Sequence, residues 1–429
     1  MKATKIFMMA ALALTFAACS NDDNDLAQQP AEQPANDEIT ITATVSSDDG
    51  ATTRALSIDG DNIASTWETA DEFAILFNDG SSNVKRIATV VAPISGSTVT
   101  ITFTIPASLA SNTPCTIVYP ASAANVANTG ADVATALATQ DGTIGNCPEV
   151  RVGTATIDKD NHSLSNVTKL DAQNAIFKFT LQDLSAAAKS ATEFKVSDGS
   201  GNVMTTVSPG SASGELYVAL PVMAAGTYWF NATIDSKPYI AKATTAAATV
   251  AGKYYQTTVK MATIGDVILS DGKFAAPSST GTKVAMIAYL GNESDCTNGL
   301  AIQLNASPAY MDWSAVCSYS SYPSITGNPG TWRLPSKADW QNMFVGCAKE
   351  GDDSDASDNI LDPIAGIKEK IGATGITKLS KYCWSSTESG SKVWVVQVSL
   401  YDKPQVMARA RFFEANTSDS YYVLGCLAF

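Results

Sequence analysis

Residues 39–45 read Ile-Thr-Ile-Thr-Ala-Thr-Val, a strict alternation of apolar and polar residues, most of them β-branched. With a side-chain period of two, Ile39, Ile41, Ala43 and Val45 share one face of a strand and the threonines share the other. Such a segment is stable only if its apolar face is buried by further strands. The chain supplies them. Short runs of the same texture recur at 67–77, 85–91, 98–105 and 115–119, and again at 175–181, 193–196, 214–220, 226–234 and 254–261. Gly, Pro, Asn and Ser punctuate them, as expected of all-β units joined by turns. Residues 122–148 are rich in Ala, Asn and Thr and read as a long loop with a short helix. The fold expected is mainly β: two tandem β-sandwich domains at 39–165 and 166–262, followed by a mixed α+β module at 263–429.

The start of the chain reads as a targeting segment. Lys2 and Lys5 precede an apolar run at 6–18, too short to span a bilayer as a stable helix. Phe16-Ala17-Ala18-Cys19 then places small residues before a cysteine, the requirement of a lipoprotein signal peptidase, with the Cys19 thiol taking the lipid. Residues 1–18 are therefore the expected signal peptide and 19–38 an acidic tether on a lipid anchor. Thr52-Thr53-Arg54-Ala55 follows the first strand. A protease cutting between Arg54 and Ala55 would separate that strand, and the lipid with it, from everything downstream. Loss of one strand exposes an apolar groove and unpaired backbone groups, which a strand from another chain can fill.

Charge and composition narrow the function. The formal net charge is −14, from 28 basic and 42 acidic residues, which argues against nucleic acid as a partner. His162 is the single histidine and has no His or Cys partner at metal spacing, so it reads as a surface-loop residue. With no G-x-S-x-G, phosphate-binding loop or dinucleotide fingerprint, the chain reads as a non-enzyme without a cofactor.

The last third has a different texture. It holds five of the seven Trp and five of the eight Cys. In Arg333-Leu334-Pro335-Ser336-Lys337-Ala338-Asp339-Trp340, Pro335 blocks helix before it, Ser336 caps a helix after it, and Asp339 completes a capping box. Trp340, Met343, Phe344 and Cys347 then share one apolar face. Strands are expected at 283–290, 300–304, 392–400, 405–413 and 421–429, with Cys383-Trp384-Ser385-Ser386-Thr387-Glu388 ahead of the last three. Arg333, Trp340, Trp384 and Glu388 read first as scaffold and second as ligand contacts. Asp352, Asp353, Asp355 and Asp358 are a weak calcium candidate, with a solvated loop as the plainer reading. Cys383 and Cys426 both fall on late strands and are the preferred disulfide; Cys347 is the candidate buried thiol.

The lipobox at Cys19, Thr-Arg-Ala at 53–55 and Trp67-Glu68-x-x-Asp71-x-Phe73-Ala74-Ile75 together resemble the fimbrillin family of Bacteroidetes, the subunits of type V pili. The acidic run after Cys19 resembles the surface-export signal of lipoproteins from that phylum. The resemblance covers roughly 19–262 and implies transthyretin-like sandwiches, transit as an outer-membrane lipoprotein, cleavage after Arg54 by an Arg-specific surface protease, loss of the first strand, and assembly with other pilin subunits through a donated strand. The C-terminal module resembles one carried by some gut fimbrillins and, more distantly, C-type-lectin-like folds. It implies an adhesin for a glycan or protein surface. Because 421–429 reads as part of the module's own sheet, the position expected is the pilus tip. The alternatives are an anchor subunit that keeps its lipid, and a surface glycan-binding lipoprotein.

Overall fold

The computed structural model describes residues 37–47 and most of 57–429, excluding 60–61, 65–66, 96, 293–295, 305–309, 328–329, 353–354, 356–358, 362–363, 376–381 and 400–408. Among the described residues, strands hold 53% and helices 9%, so the molecule is mainly β. Among the described residues no helix is long and apolar enough to cross a membrane.

The N-terminal unit is one eight-stranded sheet. Its first strand, Glu38–Ser46, is a residue longer at each end than the alternation of 39–45 predicts. It pairs antiparallel with Thr98–Pro106, from Glu38 opposite Pro106 to Ser46 opposite Thr98. The sheet continues through Asn83–Ser95, Glu72–Asn78, Thr113–Tyr119 and Arg151–Asp158 to Ser163–Ser165. It curls until its ends meet. The Thr42 N–H donates to the His162 carbonyl at 3.0 Å and the Leu170 N–H to the Ser46 carbonyl at 2.9 Å. The first strand is thus held on both sides. Its odd-numbered residues face the core, with Ile41, Ala43 and Val45 buried and Ile39 packed at the margin. The strand Arg151–Asp158, not expected from the sequence, lies between Thr113–Tyr119 and Ser163–Ser165 and pairs with both.

The second unit is a further eight-stranded sheet, running from Thr139–Gln140 to Glu215–Pro221. Its boundary is not clean. Thr139–Gln140 lies in the expected loop of the first unit yet pairs parallel with Val203–Val207. Gln140 also closes the sheet on itself: its Oε1 accepts the Ala219 N–H at 2.8 Å, its Nε2 donates to the Ala219 carbonyl at 2.7 Å, and Tyr217 N–H reaches the Gly142 carbonyl at 2.9 Å. A side-chain amide reproduces a backbone pair where the ladder is interrupted. The strands Val203–Val207 and Lys237–Thr245 complete the sheet and are additions to the sequence reading.

The C-terminal unit contains two six-stranded sheets. Helix Lys337–Gly346 packs against them and contributes Trp340, Met343 and Phe344 to their shared core, where Cys347, its C-cap, is also buried. The capping box forms as expected, Ser336 and Asp339 each accepting the other's backbone N–H. The segment 421–429 is not one strand. Ser420–Tyr422 and Cys426–Ala428 belong to different sheets, separated by a break at 423–425. Cys426–Ala428 is interior to its sheet, flanked by Gly299–Gln303 and Thr331–Arg333.

Candidate functional site

Three features of the first unit bear on function: how its first strand is held, what it covers, and how it is tied to the rest of the chain. Ile41 and Val45 are almost wholly buried, at 0% and 1% exposure, against Val99, Ile101, Phe103 and Leu170. Burial of these side chains with Ala43 and part of Ile39 contributes on the order of 5 kcal/mol. Thr40, Thr42 and Thr44 point outward. The closing side is held by 162–170, and this segment is itself braced from within. Arg151, 1% exposed, donates from Nη1 to the Leu170 carbonyl at 3.0 Å and pairs through Nη2 with Glu149 at 2.6 Å. A buried ion pair is weak evidence for stability. Here its geometry fixes the carbonyl next to the N–H that reaches the first strand. His162 is exposed in side chain, as a loop histidine should be; it is the His162 carbonyl that contacts the strand.

The Trp67-Glu68-x-x-Asp71 run forms a corner at the rim of this core. Asp71, 2% exposed, accepts the Glu68 N–H at 2.7 Å and the Tyr119 hydroxyl at 3.0 Å. Trp67 donates to the Ser97 carbonyl at 2.9 Å and packs with its ring 5.0 Å from Phe73 and 4.9 Å from Tyr119. Trp67 is a core aromatic. The motif leads into Glu72–Asn78 and ties its start to Tyr119 and to Ser97, the residue before Thr98–Pro106.

Cys19, Arg54 and Ala55 lie outside the described residues, as do Asp353 and Asp358. The described chain resumes at the hairpin of Ser57–Asp59 and Asn62–Ala64. No described ladder joins that hairpin to the first strand.

In the C-terminal unit the candidate ligand residues are mostly internal. Arg333 pairs with Asp339 at 2.8 Å, bracing the capping box. Trp340 and Trp384 are both 0% exposed, and the Trp384 indole donates to the Met311 carbonyl at 2.9 Å. Glu388 alone of the four is exposed. The calcium candidate is also differently employed. Asp352 accepts N–H groups from Ala365 at 2.9 Å and Gly366 at 2.6 Å, so its carboxylate caps the helix Ala365–Ala373. An anionic group at a helix N-terminus is favourable, and from sequence this long-range cap resembles a cation loop. Among the described residues no three His, Cys, Asp or Glu side chains converge as a metal site would require.

The expected Cys383–Cys426 disulfide is not formed. Both are buried thiols in the same core, but on strands of different sheets. Burial pushes both up to about 12, as it does Cys115, Cys147 and Cys347. Shared placement on late strands was insufficient to predict bonding, because strands close in sequence are dealt to opposite layers.

No known protein-family model matches the sequence, and no curated protein matches it. Among solved structures the chain is similar to a fimbrial protein from Bacteroides ovatus, at 12% identity over 92% of this chain and 100% of that one, with a TM-score of 0.26. A fimbrial assembly protein from Parabacteroides distasonis is 12% identical over 52% of this chain and 92% of that one, with a TM-score of 0.29. A shaft pilin from Lactobacillus rhamnosus GG is 12% identical over 53% of this chain and 99% of that one, with a TM-score of 0.23.

Proposed function

We propose that this chain is a structural and adhesive subunit of a cell-surface pilus. It is exported as a lipoprotein through Cys19, cut between Arg54 and Ala55, and assembled by accepting a strand from a neighbouring subunit in place of its own first strand. The observation that carries the reading is the first strand itself. It provides a complete apolar row to the core, and its only covalent link to the rest of the described fold runs through the segment that contains Arg54. One cut there converts an internal strand into a separable ligand without breaking a described ladder. The vacated groove would then offer Thr98–Pro106 on one side and the 162–170 carbonyl and N–H groups on the other, with pockets spaced for alternate side chains.

The position proposed is the tip. Cys426–Ala428 is paired on both edges, and the Phe429 carbonyl accepts N–H groups from Asn298 and Gly299 at 2.6 and 3.0 Å. Extracting this strand would break the ladders on both of its sides, so this segment is unsuited to donation. The C-terminal unit then serves as the exposed adhesin. An anchor subunit would differ by retaining its lipid and its first strand.

The test is strand exchange in solution. The soluble chain starting at Ser20 is cut with an Arg-specific protease and mixed with a labelled peptide of alternating apolar and polar residues. The reading predicts one cut at Arg54 in the native fold, slow displacement of the 20–54 fragment, and no exchange with a peptide whose alternation is shifted by one residue. A cut chain that unfolds at once, or that never exchanges, would contradict it.

A further inference from the structure

The row of side chains that the first strand turns into the core is uneven. Ile39, Ile41, Ala43 and Val45 follow one another along it, so the third place holds a methyl where the others hold branched chains. That place is not open to solvent. Ala43 is 7% exposed, between Ile41 at 0% and Val45 at 1%. It lies opposite Ile101, which pairs on its other side with Val90. Protein interiors are packed as tightly as organic crystals. A methyl this well covered therefore has neighbouring side chains in the volume that a longer chain would need.

The narrowing has a place in the fold. The Ser97 carbonyl accepts both the Ser47 N–H at 3.1 Å and the Trp67 indole N–H at 2.9 Å, so Trp67 stands at the end of the strand toward which Ala43 and Val45 lie. Trp67, Phe73 and Tyr119 form a block of three rings in this core, with centroids 4.9–5.2 Å apart. Ile39 and Ile41 occupy the other end, opposite Ile105 and Phe103.

Alternation alone leaves the register of such a strand open. A shift of one residue turns the apolar row to the outside. A shift of two keeps the face and the direction of each N–H and C=O, so the ladder to Thr98–Pro106 and the bonds to the His162 carbonyl and Leu170 N–H can form again. The pairing from Glu38 opposite Pro106 to Ser46 opposite Thr98 contains no bulge that would pin the strand. The outward side does not decide either, because Thr40, Thr42 and Thr44 are alike and each faces a threonine, Thr104, Thr102 and Thr100. Within 39–45, what differs from one place to the next is the size of the inward side chain.

We infer that the place of Ala43 is the register key of the groove: it accepts alanine or a smaller residue, and the partner strand that fills the groove has an inward row that runs large, large, small, branched. A strand shifted by two residues would drive a branched side chain into that place, and overfilling a packed core is destabilising. The partner is thereby defined by the position of one small residue and not by apolar content alone. The inference rests on the strand-exchange reading and adds to it which strand is accepted.

Two labelled peptides of residues 37–47 test it, one in native order and one with Ile41 and Ala43 interchanged. They share composition, alternation and face, and differ only in where the small residue falls. Each is mixed with the chain cut at Arg54, and peptide uptake and release are followed by fluorescence anisotropy. The native order should be held at least tenfold more tightly. Equal retention of both, or tighter retention of the interchanged order, would overturn the key and leave strand exchange standing. Entry of neither peptide would overturn strand exchange and the key with it. A second measurement needs no exchange. In the uncut chain, Ile41→Ala combined with Ala43→Ile should have a lower denaturant midpoint than Ile41→Ala alone, because the added chain has no room at 43. A midpoint restored toward that of the unaltered chain would overturn the key.

Discussion

Asp71 and Asp266 show how differently two inward-facing carboxylates behave. Asp71 is satisfied by a backbone N–H and a tyrosine hydroxyl, and the Trp-Glu-x-x-Asp spacing that produces this corner was visible in the sequence because it is local. Asp266 stands where the last strand of the second sheet passes into the C-terminal unit and accepts the Thr263 N–H at 2.8 Å. Burial pushes its carboxyl up to about 6; the Thr263 bond opposes this and Asp183 adds to it. A folded-state pKa above the unfolded value means that the native state holds the proton more tightly. The favourable contribution is complete below about pH 4 and is lost as pH rises through 6. Stability should therefore fall over that window, and Asp266→Asn should remove this component and raise stability at pH 7 by about 1 kcal/mol, a figure reduced for partial solvent access. Denaturant titrations of both proteins at pH 4, 5, 6 and 7 measure it. Nothing in the local sequence distinguishes Asp266 from a turn aspartate, because its environment is supplied by residues distant in the chain.

At the scale of elements, alternation carried most of the legible information. It located the first strand to within a residue at each end and identified the face that Ile41 and Val45 bury. It did not reveal that the strand closes the sheet, since that depends on two bonds from 162 and 170. Nor did it reveal Gln140, whose amide acts as a substitute backbone pair in a region whose composition reads as loop. The division of the apolar run at 421–429 between two sheets was not legible, because the break at 423–425 carries no strong turn signal beyond Gly425. The account makes a paired prediction for the first strand. Ile41→Ala should destabilise the uncut chain by about 2–4 kcal/mol, from lost transfer energy and the cavity left behind, while Thr42→Ala, outward-facing, should change stability by less than about 0.5 kcal/mol. After cleavage and exchange with an unmodified strand peptide, the Ile41→Ala penalty should disappear, because the altered strand is no longer part of the fold. Chemical denaturation before and after exchange measures both.

For the whole molecule, three units divide the work. The first holds its first strand between Thr98–Pro106 and the 162–170 segment, the second is closed by Gln140, and the third holds Cys426–Ala428 between two strands of a sheet. The expected division at 39–165, 166–262 and 263–429 rests on the spacing of strands and the change in aromatic and cysteine density. The cavity between the second sheet and the C-terminal unit was not legible, because its lining residues come from six separated stretches of chain. Lipidation, cleavage and strand replacement are proposed as successive states of this one architecture, and they leave different covalent products. The direct test is the N-terminal sequence and intact mass of the protein recovered from pili on the native cell surface. The account predicts a chain that begins at Ala55 and carries no acyl group. A chain that begins at an acylated Cys19, with Arg54 uncut and residues 38–46 still attached, would contradict it.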